Sequence, residues 1–288
     1  MIKISTIKLL RIPFSFFLSP IYLFALSQTP NINWFNAALV FIIIHFLVYP
    51  ASNGYNSYMD RDTGPIGGLE KPPPPSPELY RLTIVLDIIA ILLSLLVDLV
   101  FTAVMISYIG ASKAYSYRGI RLKRFAILSY LVVIIFQDAI SFWLVYYGSS
   151  EEPSVFAPPC LGMLICALLV GGFYPLTQIY QHQQDLEDGV ITISYKLGYR
   201  GTFVFSMLIY ILAWICMAQF FIPSGEGNKL LLVGIFFIPT LVYFLLWWKK
   251  VHADPAAANF SNTMKMNWLA ATCTNLAFLI LLIWNNIE

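Results

Sequence analysis

Long apolar stretches separated by short charged segments run through the whole chain, and they restrict it to a membrane fold. Apolar residues make up 59% of the 288 residues and charged residues only 11%, whereas about 25% of the residues of a soluble domain are charged. A helix that crosses a bilayer needs about 20 mostly apolar residues. The sequence therefore predicts an all-α, multi-pass protein surrounded by membrane lipids, with no nucleic-acid partner.

The apolar stretches predict nine membrane-spanning helices. The expected spans lie at about residues 12–28, 34–55, 82–97, 99–116, 124–146, 155–180, 200–222, 229–249 and 262–285. The run from 82 to 117 is nearly unbroken, but as one helix it would be about 54 Å long, against about 30 Å for the hydrocarbon core. We therefore expect a turn near Asp98 that divides it into two spans.

The distribution of basic residues supports nine spans. With a cytoplasmic N-terminus, this topology places every one of the 17 Lys and Arg residues except Lys229 on the cytoplasmic side. Merging the third and fourth spans would destroy this bias, which the positive-inside rule predicts. The expected location is a bacterial cytoplasmic membrane.

Two acidic clusters end the second and sixth predicted spans, both on the cytoplasmic side. Carboxylates are costly beside hydrocarbon and therefore indicate a function. Residues four apart share one helix face, and oxygen ligands suit magnesium, which usually binds one or two carboxylates and the phosphates of a substrate. The candidate magnesium ligands are Asn56, Asp60 and Asp62 in the first cluster and Gln181, Asp185 and Asp188 in the second.

A basic segment, Ser112–Phe125, reads SKAYSYRGIRLKRF and lies on the same predicted side. Lys and Arg bind phosphate oxygens through charge-assisted hydrogen bonds. Lys123 and Arg118 are the first candidates, and Arg121 is a further one, although contact with lipid headgroups would also explain it. Carboxylates opposite these cations would form a clamp for a diphosphate.

These motifs resemble the UbiA superfamily of intramembrane prenyltransferases. The resemblance lies in Asn56–Asp62, in YSYRGIRLKR (residues 115–124) and in DLEDGVITISYKLG (residues 185–198), and it extends over essentially the whole chain. It implies nine helices around a central cavity and a Mg²⁺-dependent reaction. In that reaction a prenyl diphosphate is ionised and its prenyl group passes to a small lipophilic or aromatic acceptor.

The resemblance also implies roles for individual residues. Asp60, Asp185 and Lys123 would be catalytic, and Tyr115 would join Asn56, Arg118 and Arg121 in binding the substrate. The chain departs from the family pattern at two points. Gly64 stands where a second Asp is usual in the first motif, with Asp62 two residues earlier. In the second motif the two Asp residues are three apart instead of four, and Gln181 replaces the common Asn or Asp.

Asp138 lies about halfway along the fifth predicted span, where a carboxyl group usually faces the bundle interior. It could act in catalysis by orienting an acceptor or taking its proton, or it could be a protonated group bonded between helices.

We expect one domain over residues 1–288 with two weakly related halves, about 34–146 and 155–285. Two other functions stay open: an intramembrane terpene cyclase of the same superfamily and, with less support, a membrane transporter.

Overall fold

A computed structural model describes residues 3–287, and within this range the chain is helical with no strand. Eleven α-helices are used below as landmarks. They are α1 (Ile4–Leu10), α2 (Ser19–Ser27), α3 (Trp34–Asp60), α4 (Pro77–Ser94), α5 (Leu99–Ser116), α6 (Ala126–Gly148), α7 (Cys160–Gln178), α8 (His182–Glu187), α9 (Ile193–Phe221), α10 (Gly227–Ala253) and α11 (Phe260–Ile287).

Six of these helices, α3, α6, α7, α9, α10 and α11, are long and apolar enough to cross a membrane. A seventh span is possible at the N-terminus, where Ile4–Phe17 and Ser19–Ser27 meet at a bend of 41°. Helices α4 and α5 have 18 residues each, and α4 carries three charged side chains. The chain is thus a multi-pass membrane protein, while the count of nine spans remains a prediction.

The turn expected near Asp98 is present. Helix α4 ends at Ser94, and Asp98 caps α5 by accepting hydrogen bonds from the backbone N–H groups of Val100 and Phe101. Asp is a favoured N-cap residue because its side chain satisfies N–H groups that the first turn leaves free. The polar residue in this apolar run therefore marks the helix boundary.

The first predicted span is broken, in contrast to the single helix expected from its apolar residues. Arg11 ends α1 in the left-handed conformation, with a φ of 49°. Pro13 follows, and because proline has no backbone N–H it cannot continue the hydrogen bonding of α1. The chain continues as a short 3₁₀ segment, Ile12–Phe17, before α2 begins.

Two spans contain π-helical turns, Ile42–Val48 in α3 and Val133–Ile140 in α6. Such turns insert extra residues into a helix and are frequent at functional sites. The main core lies between the helices on the far side of the bundle from Asp60, where Phe24 stacks on Phe278 with ring centroids 4.8 Å apart. Close packing also occurs at Gly54, where an added Cβ would lie 2.9 Å from Leu10 and Thr83 side-chain atoms.

Candidate active site

The two acidic clusters and the basic segment meet at one end of the bundle, here called the site end, where α3 and α7 end and α9 begins. They surround a polar cavity of about 220 Å³. Seven residues singled out by the sequence line it: Asn56, Asp60, Asp62, Tyr115, Lys123, Gln181 and Asp185. The predicted clustering of these side chains is therefore present.

Asp60 is the most closely surrounded carboxylate of the cavity. Lys123 Nζ lies 2.5 Å from Asp60 Oδ2, and Asn56 Nδ2 donates to the same oxygen at 2.8 Å. Asn56 Nδ2 also donates to the Ser116 hydroxyl at 3.0 Å. The other oxygen, Asp60 Oδ1, is buried and has no hydrogen-bond partner within residues 3–287, and Arg121 Nη2 lies 3.9 Å from it.

The second acidic cluster contributes Gln181 and Asp185 to the opposite wall. Gln181 Nε2 donates to the carbonyl oxygen of Pro65 at 3.0 Å, which leaves the amide oxygen as a potential ligand. Burial raises the pKa of Asp185 to about 7, and the nearby Asp62 and Asp60 carboxylates also raise it, whereas Lys123 opposes the shift. A carboxyl group in this environment is stabilised in its charged form by an added cation.

Asp62, the residue that departs from the family spacing, also lies in the cavity. Its Oδ1 accepts a hydrogen bond from Gln184 Nε2 at 2.6 Å. The pKa of Asp62 is raised by burial first and by the neighbouring Asp60 second. A carboxylate from two residues before position 64 thus reaches the cavity.

Arg118, Arg121 and Asp188 lie beside the cavity and do not line it. Asp188 forms ion pairs with both arginines, at 3.2 Å from Arg118 Nη1 and in a close contact with Arg121. Arg118 also donates to the carbonyl oxygen of Met59 at 2.7 Å. These bonds connect the loop after α5 to the end of α3 and to the end of α8.

Arg11 lines the polar cavity but was counted in the sequence only as a topological charge. Its Nη1 donates to the carbonyl oxygen of Gly67 and its Nη2 to that of Asn53, each at 3.2 Å. It therefore joins the glycine-containing loop to α3. Gly67 fits closely there, since an added Cβ would lie 2.9 Å from the ring of Phe14. No local motif around Arg11 indicated this position, which depends on the bend after α1.

An apolar chamber of about 440 Å³ adjoins the polar cavity. The two spaces share Asn53, Gln137, Tyr174 and Thr177, and the Tyr174 hydroxyl lies 2.6 Å from that of Tyr115. The chamber runs on between α2, α7, α9, α10 and α11, with many aromatic side chains in its walls. A ligand with a charged head and an apolar tail would match this pair of spaces.

Asp138 is not brought to the polar cavity. It is fully buried, lines neither space, and neither of its carboxyl oxygens has a hydrogen-bond partner in the described part of the chain. Its neighbour Gln137 lines both spaces instead. Asp138 lies in the π-helical turn of α6, which changes the face that each residue presents.

The donors around the cavity fit a magnesium ion that is completed by a substrate. Among residues 3–287 no group of three or more His, Cys, Asp or Glu side chains is arranged to hold a metal by itself. Mg²⁺, however, usually takes only one or two carboxylates and fills its remaining positions with water and phosphate oxygens. Asp60 and Asp185, which both line the cavity, are the two carboxylates that such an arrangement would use.

The fold has counterparts among solved structures. A UbiA homolog from Archaeoglobus fulgidus bound to GPP and Mg²⁺ superposes with a TM-score of 0.70 at 17% identity, covering 96% of this chain and 99% of that chain. The apo structure of a UbiA homolog from Aeropyrum pernix K1 gives 0.68 at 18% identity, covering 96% and 98%. A digeranylgeranylglyceryl phosphate synthase gives 0.62 at 17% identity, covering 97% and 98%.

Sequence comparison leads to the same group. No curated protein matches the chain by sequence. The model of the UbiA prenyltransferase family, however, matches residues 15–270, which include both acidic clusters and the basic segment. The chain belongs to the UbiA prenyltransferase family.

Proposed function

We propose that this protein binds a prenyl diphosphate with Mg²⁺ in the polar cavity, ionises it, and transfers the prenyl group to a small lipophilic or aromatic acceptor. One observation carries the proposal: a polar cavity with both acidic clusters and Lys123 in its walls continues directly into an apolar chamber. The diphosphate would occupy the first space and the prenyl chain the second.

The proposed magnesium ligands are side-chain oxygens from both acidic clusters. Asp60 and Asp185 supply the two carboxylates, Asn56 and Gln181 supply amide oxygens, and Asp62 is a further carboxylate within the cavity. Bound Mg²⁺ would neutralise the leaving diphosphate without a proton transfer. Asp188 serves this arrangement by holding Arg118 and Arg121 close to the cavity.

Lys123 has two partners in this scheme. In the structure it is paired with Asp60. With Asp60 engaged as a metal ligand, the ammonium group of Lys123 would bind a phosphate oxygen and would stabilise the negative charge that grows as the carbon–oxygen bond breaks. The aromatic walls of the chamber exclude water from the allylic cation and stabilise its charge.

The decisive test measures turnover of prenyl diphosphates by the purified protein in lipid, with Mg²⁺, and with or without a membrane extract as the source of acceptor. Turnover that needs the extract and is lost in the Asp60→Asn/Asp185→Asn double mutant supports the transferase. Turnover to a hydrocarbon without extract would indicate a cyclase. Glu187→Gln is the matched control, since Glu187 is an exposed carboxylate of α8 outside the cavity.

We further propose that the site end faces the cytoplasm of a bacterial cell. The proposal is supported by the basic residues, which cluster at this end, with Lys229 at the other. Single cysteines at Glu70 and Glu152, in a cysteine-free background, would test it. A membrane-impermeant thiol reagent should label position 152 in intact cells and position 70 only after lysis, and the reverse result would refute the orientation.

A further inference from the structure

The far end of the apolar chamber is lined by a pair of aromatic side chains. Trp214 comes from α9 and Phe237 from α10, and their rings meet edge to face with centroids 5.2 Å apart. Both line the chamber, as does Gly234, one turn before Phe237. Phe278 of α11, which is 1% exposed, lines the same chamber. A chain that extends along the helix axes from the polar cavity therefore meets these rings.

The depth of the chamber follows from the helices that form its walls. Its lining extends from Thr177 to Cys166 on α7, from Phe244 to Gly234 on α10, and from Met266 to Phe278 on α11. At about 1.5 Å per residue these stretches span about 15 to 18 Å. All three run from the site end toward the far end, so the chamber is elongated along the helix axes.

This depth can be compared with a prenyl chain. Each isoprene unit adds four main-chain bonds of about 1.5 Å, and therefore about 5 Å when the chain is extended. The chamber thus has room for roughly three to four units below the polar cavity. Two units would leave its far end unfilled, and five, at about 25 Å, would not fit before the ring of Trp214.

We propose that the Trp214–Phe237 pair sets the upper limit of prenyl chain length, and that the substrate has three to four isoprene units. The inference rests on the proposed function, because the diphosphate in the polar cavity fixes the other end of the chain. Trp214 and Phe237 are specificity residues and not catalytic ones. They contact the terminal isoprene unit, about 15 Å or more from the reacting carbon.

Two substitutions should move the limit in opposite directions. Trp214→Ala removes one of the two rings at the far end of the chamber and should admit longer chains. Gly234→Leu should exclude the longer chains. A Cβ at Gly234 would lie 3.7 Å from Trp214 Cη2, which is an ordinary contact, so the backbone can accept a side chain there. The outer carbons of the leucine would then fill the far end of the chamber. Trp34→Ala is the matched control, since Trp34 is 58% exposed and lies outside both spaces.

The experiment is a competition among geranyl, farnesyl, geranylgeranyl and geranylfarnesyl diphosphates, supplied together with membrane extract and followed by mass spectrometry. Because one methylene in an apolar pocket changes specificity about tenfold or more, we expect at least a tenfold shift. Trp214→Ala should raise consumption of the five-unit substrate relative to the three-unit one. Gly234→Leu should lower consumption of the four-unit substrate relative to the two-unit one.

A binding series separates this inference from the proposed function. The same four diphosphates are added to each folded variant, without acceptor, and the rise in melting temperature that each one causes is measured. The chain length that stabilises each variant most should change in the same direction as its preference in the competition. Unchanged preferences in both variants overturn the inference, and so does an effect confined to the KM for the acceptor. If the wild type consumes none of the diphosphates, the proposed function fails, and the binding series alone decides whether the aromatic pair limits chain length.

Discussion

Lys123 Nζ lies 2.5 Å from Asp60 Oδ2, and both side chains are shielded, with exposed fractions of 10% and 3%. Lys123 is thus paired with the carboxylate that we propose as a magnesium ligand. A shielded ion pair survives only while each charge retains a partner. Metal binding to Asp60 and release of Lys123 toward the substrate are therefore expected to be coupled.

Replacing Lys123 by methionine should separate metal binding from catalysis. Lys123→Met frees Asp60 from its cationic competitor, so Mg²⁺ should bind more tightly in the absence of substrate. The variant should nevertheless lose about 10²- to 10³-fold in kcat, the typical cost of removing a donor that stabilises developing charge. Titration calorimetry and diphosphate release measure the two effects. Weaker Mg²⁺ binding would contradict this exchange, and Lys196→Met, at an exposed position of the same end, should change neither.

Magnesium affinity should increase with pH up to about pH 7. The pKa of Asp185 is raised to about 7 by burial and by neighbouring carboxylates, so below pH 7 the metal-free group holds a proton. A carboxyl group must lose that proton to bind metal, which makes affinity rise by up to about tenfold per pH unit below the pKa. Calorimetry of Mg²⁺ binding between pH 5.5 and 8.5 tests this. Asp185→Asn should bind weakly and without the pH dependence, and a flat profile for the wild type would rule out Asp185 as a ligand.

Removing the charge of Asp188 should affect substrate binding more than metal binding. Asp188 is paired with Arg118 and Arg121 and does not line the cavity. Asp188→Asn should release both arginines and raise the KM for the prenyl diphosphate about tenfold. A change of this size corresponds to the loss of one hydrogen bond to a charged group. Mg²⁺ affinity should stay close to that of the wild type. A loss of Mg²⁺ binding as large as in Asp60→Asn would instead make Asp188 a ligand.

Arg11 should be needed to hold the glycine-containing loop over the site. Arg11→Ala removes the hydrogen bonds to the carbonyl oxygens of Gly67 and Asn53, so the loop should open more often. Cleavage after the exposed Glu70 by a glutamate-specific protease should become several times faster, with a higher KM for the diphosphate. Lys8→Ala, at an exposed position of α1, is the control. Equal cleavage rates would show that the loop is held by other contacts.

The sequence predicted much of the site because its chemistry is local. Asn56 and Asp60 are one helical turn apart, so their proximity to each other required only helix geometry. The break near Asp98 followed equally from helix length and the thickness of a membrane. The family resemblance then predicted that both acidic clusters and Lys123 meet, and the structure places them around one cavity.

Arg11 and Gln137 could not be identified in this way, because their positions depend on irregular backbone. Arg11 reaches the cavity only because α1 ends in a left-handed residue and the chain bends before α2. Gln137, and not its neighbour Asp138, lines the cavity. Both lie in a π-helical turn, which shifts the helix phase in a way that a period of 3.6 residues does not predict.

The charged side chains at the site end affect how a chain with so few charges binds a charged ligand. Four acidic side chains meet four cations at the site end: Asp60, Asp62, Asp185 and Asp188 with Arg11, Arg118, Arg121 and Lys123. These acidic and basic side chains are thus equal in number. Diphosphate and metal arrive with opposite charges as well, so binding exchanges one set of ion pairs for another. The bundle can therefore load and release a multiply charged molecule while its net charge beside the lipid hardly changes.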